Sequence, residues 1–211
     1  MGISDTNQVT ANIVIRQFRA VDLPQVVEVF KGGMRSYAPF RALPEQMEAY
    51  FQKSLNDDLA DIMGTYITSG GNFWVATSKE EPTEVVGIVG LEPKDNQEGE
   101  LRRMSVKDTY RRFGVGRKLI VVLEEWAQSN GFRKVWLTTG GVMDKARAFY
   151  SSMGYEQTAI TVVNESPRFE AYTFEKRLRN SVVVKANGSP KDEIESTAGS
   201  ISLCGSSAPM T

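Results

Sequence analysis

The sequence contains no histidine, a single cysteine (Cys204) and no long uncharged apolar run. Without histidine, proton transfer must depend on Asp, Glu, Tyr or Lys side chains or on water. A single cysteine excludes an internal disulfide framework and a cysteine metal cluster, and we expect no metal site. Because no window holds about 18 consecutive apolar residues, we predict no transmembrane segment and expect a cytoplasmic protein, with the nucleus as the alternative.

Neither sign of charge is in excess: 25 Lys and Arg stand against 26 Asp and Glu, which gives a net charge of -1. The bulk positive field that attracts nucleic acid is therefore absent, and we expect no nucleic-acid partner. The length suits one compact domain, which we place at residues 12–178 and expect to be a monomer or a homodimer. Composition predicts a flexible arm at 1–11 and a disordered tail rich in Ser, Gly and Ala at 179–211.

Hydrophobic periodicity predicts the element order β-α-α-β-β-β-α-β-α-β-β. The first helix is expected to end at Gly32-Gly33, and the second to run from Pro44 to about Met63. Antiparallel strands followed by one crossover helix indicate an α/β fold with a mixed, mostly antiparallel sheet covered by helices. The predicted strands are NIVIRQF, NFWVATS, VVGIVGLE, ELRRMSV, RKVWLTT, YEQTAITVV and RFEAYTFEKRL.

The segment RRFGVG, from Arg111 to Gly116, lies between a predicted strand and an amphipathic helix. It lacks the spacing of a Walker A loop, and Leu119 stands where a Rossmann loop has its third glycine. Glycines allow backbone N–H groups to converge, and the helix start adds partial positive charge. With Arg112 and Arg117 nearby, the pattern suits a diphosphate. The alternative is a helix start whose glycines serve tight packing.

Three segments, in order, resemble signatures of the GNAT superfamily of acyl-CoA-dependent N-acyltransferases over about residues 12–178. GELRRMSV is similar to the family's fourth strand, RRFGVG to its pyrophosphate loop and ARAFYSSMGY to its late helix motif. FKGGM, FWVA and VVGIVGLEP resemble the camello-like branch, which usually carries an apolar membrane segment that this sequence does not show. One departure is Met143, where the family often has asparagine.

This resemblance implies helices on both faces of the sheet and a V-shaped opening between strands four and five that receives the pantetheine arm of acetyl-CoA. It also implies an acceptor pocket near Tyr37, Phe40 and Arg41; the alternative is that the aromatic side chains serve structural packing. The residues implied to bind the cofactor are Met104, Ser105, Val106, Arg111, Arg112, Phe113, Gly114, Val115, Gly116 and Arg117.

Transfer to an amine needs a base, because an alkyl ammonium has a pKa of about 10. Without histidine, glutamate is the natural choice; the resemblance favours Glu100, with Glu92 or a water relay as alternatives. Strict alternation puts Glu100 on the strand face of Met104, and a bulge would change that. Tyr150 is implied to protonate the leaving thiol; its alternative role is packing in the core.

The sequence therefore predicts an enzyme that transfers an acetyl group from acetyl-CoA to a primary amine of a small molecule or a protein. The alternative is an acyl-CoA-binding regulatory module of the same fold without turnover. Acetyl-CoA and an amine acceptor are the expected partners. The adjacent Arg102 and Arg103 are expected on a solvated strand face, with an anionic substrate or the cofactor as the alternative partner.

Overall fold

The computed structural model describes residues 12–38, 44–166 and 168–178. The predicted arm and tail, together with Phe40 and Arg41, lie outside these residues. The strands are β1 Ile13–Gln17, β2 Asn72–Ser78, β3 Val85–Lys94, β4 Glu98–Val106, β5 Lys134–Gly140, β6 Glu156–Glu165 and β7 Arg168–Arg177. The helices are α1 Leu23–Arg35, α2 Pro44–Asn56, a π-helical segment Met63–Thr68, α3 Val115–Ser129 and α4 Asp144–Ser152.

The seven strands form one sheet in the order β1-β2-β3-β4-β5-β7-β6. Every neighbouring pair is antiparallel except β4 and β5, which are parallel and are joined through the crossover helix α3. The prediction of a mixed, mostly antiparallel sheet is confirmed.

The parallel strands β4 and β5 stay together over a short distance only. Their pairs are Glu98 with Lys134, Gly99 with Val135 and Glu100 with Trp136. Residues 101–106 of β4 and 137–140 of β5 continue without pairing to each other. This gap, called the opening below, confirms the V shape expected between strands four and five.

Helices cover both faces of the sheet. In α3, the apolar residues at helical spacing, Val115, Leu119, Leu123 and Ala127, are all buried against one face together with Tyr150 of α4. On the other face, α1, α2 and the π-helical segment bury residues such as Phe51. Burial of each large apolar side chain contributes about 1.5–3 kcal/mol, so the two cores hold the rims of the opening in place.

Two predicted helix ends are wrong. The helix α1 continues through Gly32-Gly33 to Arg35, and these glycines serve close packing. A Cβ on Gly33 would lie 2.5 Å from Oγ and 3.0 Å from Cβ of Ser105, so glycine at this position favours the close approach of α1 to β4. The helix α2 ends at Asn56 rather than near Met63, because Asp58 turns inward to a buried ion pair.

Candidate active site

The loop before α3 has a backbone suited to an anion. Arg112 and Gly114 have φ of 64° and 79°, in the left-handed region, and Gly114 is the N-cap of α3. No side chain caps this end, and the first turn of α3 holds no acidic residue. The N–H groups of the first turn therefore point outward with the positive end of the helix dipole.

The arginines of this loop have two different surroundings. Arg111 has partners in the same chain: its Nε donates to the carbonyl oxygen of Val106 at 2.9 Å, and its guanidinium pairs with the exposed Asp108 at 2.6 Å. Arg112 and Arg117 are exposed, and neither forms an ion pair within residues 44–166 and the other described stretches. Two cations therefore remain available for a ligand beside the helix start.

A bulge interrupts β4 at the opening. Ile88 of β3 pairs with Ser105 and Gly90 pairs with Arg102, so β4 has one more residue than β3 over this interval. Arg103 lies within the bulge with φ of 58°. The strict alternation of side chains along β4 therefore fails between Arg102 and Ser105.

The bulge separates side chains that strict alternation would place on one face. Met104 and Val106 pack against the core beneath α3. Glu100 and Arg102 lie on the opposite face, where they contact Lys94 and Glu92 respectively. The candidate base Glu100 thus lies on the sheet face that α2 and the π-helical segment cover. The edge of β4 past the bulge, from Met104 to Val106, borders the opening.

The expectation of a solvated face for Arg102 and Arg103 is wrong. The side chain of Arg103 is only 6% exposed, and it pairs with Asp58, which is 1% exposed. Nε of Arg103 donates to Oδ2 of Asp58 at 2.8 Å, and Arg102 reaches Oδ1 of Asp58 at 3.5 Å. Arg103 and Asp58 can be buried as charged groups because each neutralises the other, and Arg102 is paired with Glu92 and Asp58.

Asp58 is ionised in this setting. Burial by itself would raise the pKa of Asp58, but hydrogen bonds from Arg103 and Tyr66 outweigh it and hold the pKa below its ordinary value. Burial likewise raises the pKa of Tyr66 far above that of a free phenol, so the phenol stays protonated and its O–H donates a hydrogen bond to Asp58.

The two candidate bases share one ammonium group. Nζ of Lys94 lies 2.6 Å from Glu92 and 3.0 Å from Glu100, and Arg102 also binds Glu92. Burial would raise the pKa of Glu92, but Lys94 and Arg102 outweigh it, so its pKa is lowered. Glu92 is therefore a weaker base than an ordinary carboxylate. We call Asp58, Glu92, Lys94, Glu100, Arg102 and Arg103 the charge network.

Tyr150 lies in the core at the other rim of the opening. It is 7% exposed and packs against Tyr155 and Phe174, with ring centroids 5.9 Å and 6.4 Å away. Burial raises the pKa of its phenol far above the ordinary value, and Tyr37 raises it further. Tyr37, at the end of α1, thus lies within electrostatic reach of Tyr150.

Sequence reasoning missed Lys94, Asp58 and Tyr66, because their partners are distant in the chain.

An open surface depression of about 390 Å³ lies beside Lys94 and includes Trp136 and Thr173. Within the described ranges, no helix is long and apolar enough to cross a membrane, and no group of acidic or cysteine side chains could hold a metal.

A mixed sheet that parts beside a glycine loop at a helix start is the architecture of GNAT acetyltransferases. Residues 37–155, more than half of the chain, match the acetyltransferase (GNAT) family, and the chain belongs to this family.

Individual relatives agree with that assignment. N-acetyltransferase family 8 member 3 of Rattus norvegicus is 36% identical over 143 residues, which cover 65% of this chain and 58% of that protein. The chain thus spans little more than half the length of this relative. The similarity to N-acetyltransferase family 8 confirms the resemblance to the camello-like branch.

Solved structures share the fold. A GNAT acetyltransferase from Staphylococcus aureus Mu50 superposes with a TM-score of 0.65 at 23% identity, over 79% of this chain and 99% of that one. The PaiA N-acetyltransferase from Thermoplasma acidophilum, in complex with coenzyme A, gives a TM-score of 0.63 at 19% identity, over 78% and 98%.

Proposed function

We propose that this protein is an enzyme that transfers an acetyl group from acetyl-CoA to the primary amine of an acceptor. The observation that carries the proposal is the uncapped start of α3, with its left-handed loop and two exposed arginines, directly beside the opening between β4 and β5. The coenzyme A bound in the Thermoplasma neighbour agrees with this choice of donor.

The glycine loop and the edge of β4 suit the two parts of acetyl-CoA. The N–H groups from Arg112 to Gly116 and the side chain of Arg117 suit the diphosphate. The edge of β4 from Met104 to Val106 suits the amide-bearing pantetheine arm, because β5 does not pair there. Acetyl-CoA supplies the activated thioester when bound; the chain binds and orients it and moves protons.

Glu100 is the base in this proposal. It is the last residue of β4 that pairs with β5, so it stands where the opening begins. Glu92 has two cationic partners and a lowered pKa, which makes it the poorer proton acceptor. A water molecule can relay the proton between Glu100 and the amine.

Tyr150 is the acid. Its raised pKa keeps the phenol protonated at neutral pH, so it has a proton to donate to the leaving sulfur.

A backbone N–H between Met104 and Val106 stabilises the charge that develops on the acyl oxygen. The amine nitrogen bonds to the acyl carbon as the carbon–sulfur bond breaks. The ammonium loses two protons: one passes through Glu100 to solvent before the attack, and the other leaves the nitrogen after the attack and, through solvent, replaces the proton that Tyr150 gives to sulfur.

The acceptor approaches near Tyr37 in this proposal. Burial raises the pKa of Tyr37, Arg111 lowers it in part, and Tyr37 interacts electrostatically with Tyr150. The side of the opening next to α1 is proposed for the acceptor because Tyr37 follows α1, whose Gly33 packs against Ser105 of β4 at the opening. Phe40 and Arg41 stay predictions for the same pocket.

Release of free thiol from acetyl-CoA over a panel of amines, amino acids and peptides tests this function. We expect at least one amine to release thiol, and Tyr150→Phe to lower turnover while it leaves the affinity for acetyl-CoA nearly intact. Acetyl-CoA binding without release for any amine would instead identify an acyl-CoA-binding module. Unchanged turnover in Tyr150→Phe would leave Tyr150 with a packing role alone.

A further inference from the structure

The bulge in β4 holds a residue in a conformation that suits glycine. Arg103 has φ of 58°, and a residue with a Cβ is disfavoured in this region. Bulges with a left-handed first residue usually carry glycine there. An interaction outside the strand must therefore offset the strain at Arg103.

A buried ion pair provides this interaction. Both ends of the Arg103 guanidinium fork contact the carboxylate of Asp58, and its remaining nitrogen donates to Ser54 at 3.0 Å and Tyr50 at 3.2 Å. The guanidinium also lies over the ring of Phe30, 4.8 Å from the centroid. Since Asp58 is buried, moving Arg103 away would leave its carboxylate with the more distant Arg102 as its one cationic partner among the described residues.

We infer that Asp58 is a positioning residue of the acyl-transfer site, a role that rests on the proposed function. Through Arg103 it fixes the bulge, and the bulge sets the direction of the backbone N–H groups from Met104 to Val106 at the opening. These are the groups that pair with the pantetheine arm and stabilise the acyl oxygen. Asp58 acts from beneath β4, on the face covered by α2.

Two ligands separate this role from general stability. Coenzyme A carries both the diphosphate and the pantetheine arm, whereas ADP carries a diphosphate without the arm. In Asp58→Asn we expect the affinity for coenzyme A, measured by calorimetry, to fall about tenfold, the loss expected from one or two misaligned hydrogen bonds. We expect the affinity for ADP to stay near the wild-type value, because the diphosphate site lies at the start of α3, which Val115, Leu119 and Leu123 anchor in the core.

Asp22 offers a matched control. It is 3% exposed and forms a two-bonded ion pair with Arg16 at 2.7 Å and 2.8 Å. It precedes α1, so the length of that helix, about 20 Å, separates it from the site near Tyr37. We expect Asp22→Asn to lower the melting temperature comparably while it keeps the wild-type affinity for coenzyme A.

A second substitution tests the route through the bulge. In the double variant Asp58→Asn with Arg103→Gly, glycine adopts the left-handed conformation without an anchor. We expect the affinity for coenzyme A to recover toward the wild-type value. If Asp58→Asn does not fold, Arg103→Lys replaces it, because lysine keeps the charge but lacks the fork, and the same selective loss is expected.

Equal losses of coenzyme A and ADP affinity, or wild-type affinity for both in Asp58→Asn, overturn the inference. So does a double variant that folds and still binds coenzyme A as weakly as Asp58→Asn. The affinities are measured without turnover. A wild-type protein that releases no thiol for any amine therefore contradicts the proposed function, and the comparison of variants still decides the role of Asp58.

Discussion

The two sides of the opening use positive charge in opposite ways. On the loop side, Arg112 and Arg117 are exposed and form no ion pair with the part of the chain that the structure describes, and α3 begins without a cap. On the other side, Lys94, Arg102 and Arg103 all contact carboxylates of the same chain. The loop suits an anion that arrives from solution, whereas the charge network neutralises itself.

The role of a basic residue near a site depends on whether it has a carboxylate partner in the fold. A cation without a partner in the fold is available to a ligand, and its removal should change binding. A cation held between buried carboxylates stabilises a backbone shape, and its removal should change stability first. The net charge of -1 does not distinguish the unpaired arginines of the loop from the paired cations of the charge network.

The largest effect is expected in the charge network. Asp58→Asn leaves Arg103 buried without its carboxylate, and we expect the free energy of unfolding to fall by about 3–5 kcal/mol at neutral pH. The pKa of Asp58 is lowered in the fold, so its contribution is complete above its unfolded pKa and is lost as the pH falls through the folded pKa. Urea unfolding of both proteins at about pH 7 and about pH 3 should show the difference shrinking in acid. A constant difference would contradict the ion pair.

The next largest effect concerns the two carboxylates of the network nearest to the opening. We expect Glu100→Gln to lower turnover about 100-fold, the usual contribution of a general base, with little change in acetyl-CoA affinity. Glu92→Gln should lower turnover less, because Arg102 and Lys94 already weaken Glu92 as a base. A larger loss in Glu92→Gln would transfer the role of base to Glu92.

On the loop side, Gly114→Val should weaken acetyl-CoA binding at least about tenfold, because valine is strained by about 1–2 kcal/mol at a left-handed φ and its side chain obstructs the diphosphate. Gly131→Val is the control: Gly131 has φ of 85° at the far end of α3 with open space around it. Calorimetry should show normal binding for this variant despite a similar loss of stability. Equal weakening in both would attribute the effect to strain rather than to the loop.

The smallest effect is expected for one exposed cation. Arg117→Ala should weaken acetyl-CoA binding by a factor of about 2–5, and the difference from wild type should shrink in high salt, because a solvent-exposed charge is screened. Arg133→Ala removes another exposed arginine, directly before β5, and should leave the affinity unchanged. If Arg133→Ala weakened binding to the same extent, the contribution would be one of net charge and not of the loop.

The parts of the site that the sequence predicted are local ones. The glycine spacing from Arg111 to Gly116 lies within six residues, and the order of elements follows from periodicity along the chain. The opening followed from the family resemblance and is confirmed by the short pairing of β4 with β5.

The parts that it did not predict depend on distant contacts. Asp58 and Arg103 are 45 positions apart, and nothing in the local pattern of either residue indicates that they meet. The bulge could not be predicted because arginine is not a typical residue for a left-handed conformation. The end of α1 was missed because Gly32-Gly33 resembles a helix stop, whereas Gly33 lets α1 pack against Ser105.

Three residue pairs join the two halves of the sheet, β1–β4 and β5–β7, at the strand pair β4 and β5. Beyond Glu100, alternate backbone amides of β4 have no strand partner, so they should exchange their hydrogens with solvent faster than those that face β3. A donor lying along this edge would contact both halves of the sheet. Donor binding should therefore slow hydrogen exchange in β4 and in β5, on both sides of the opening.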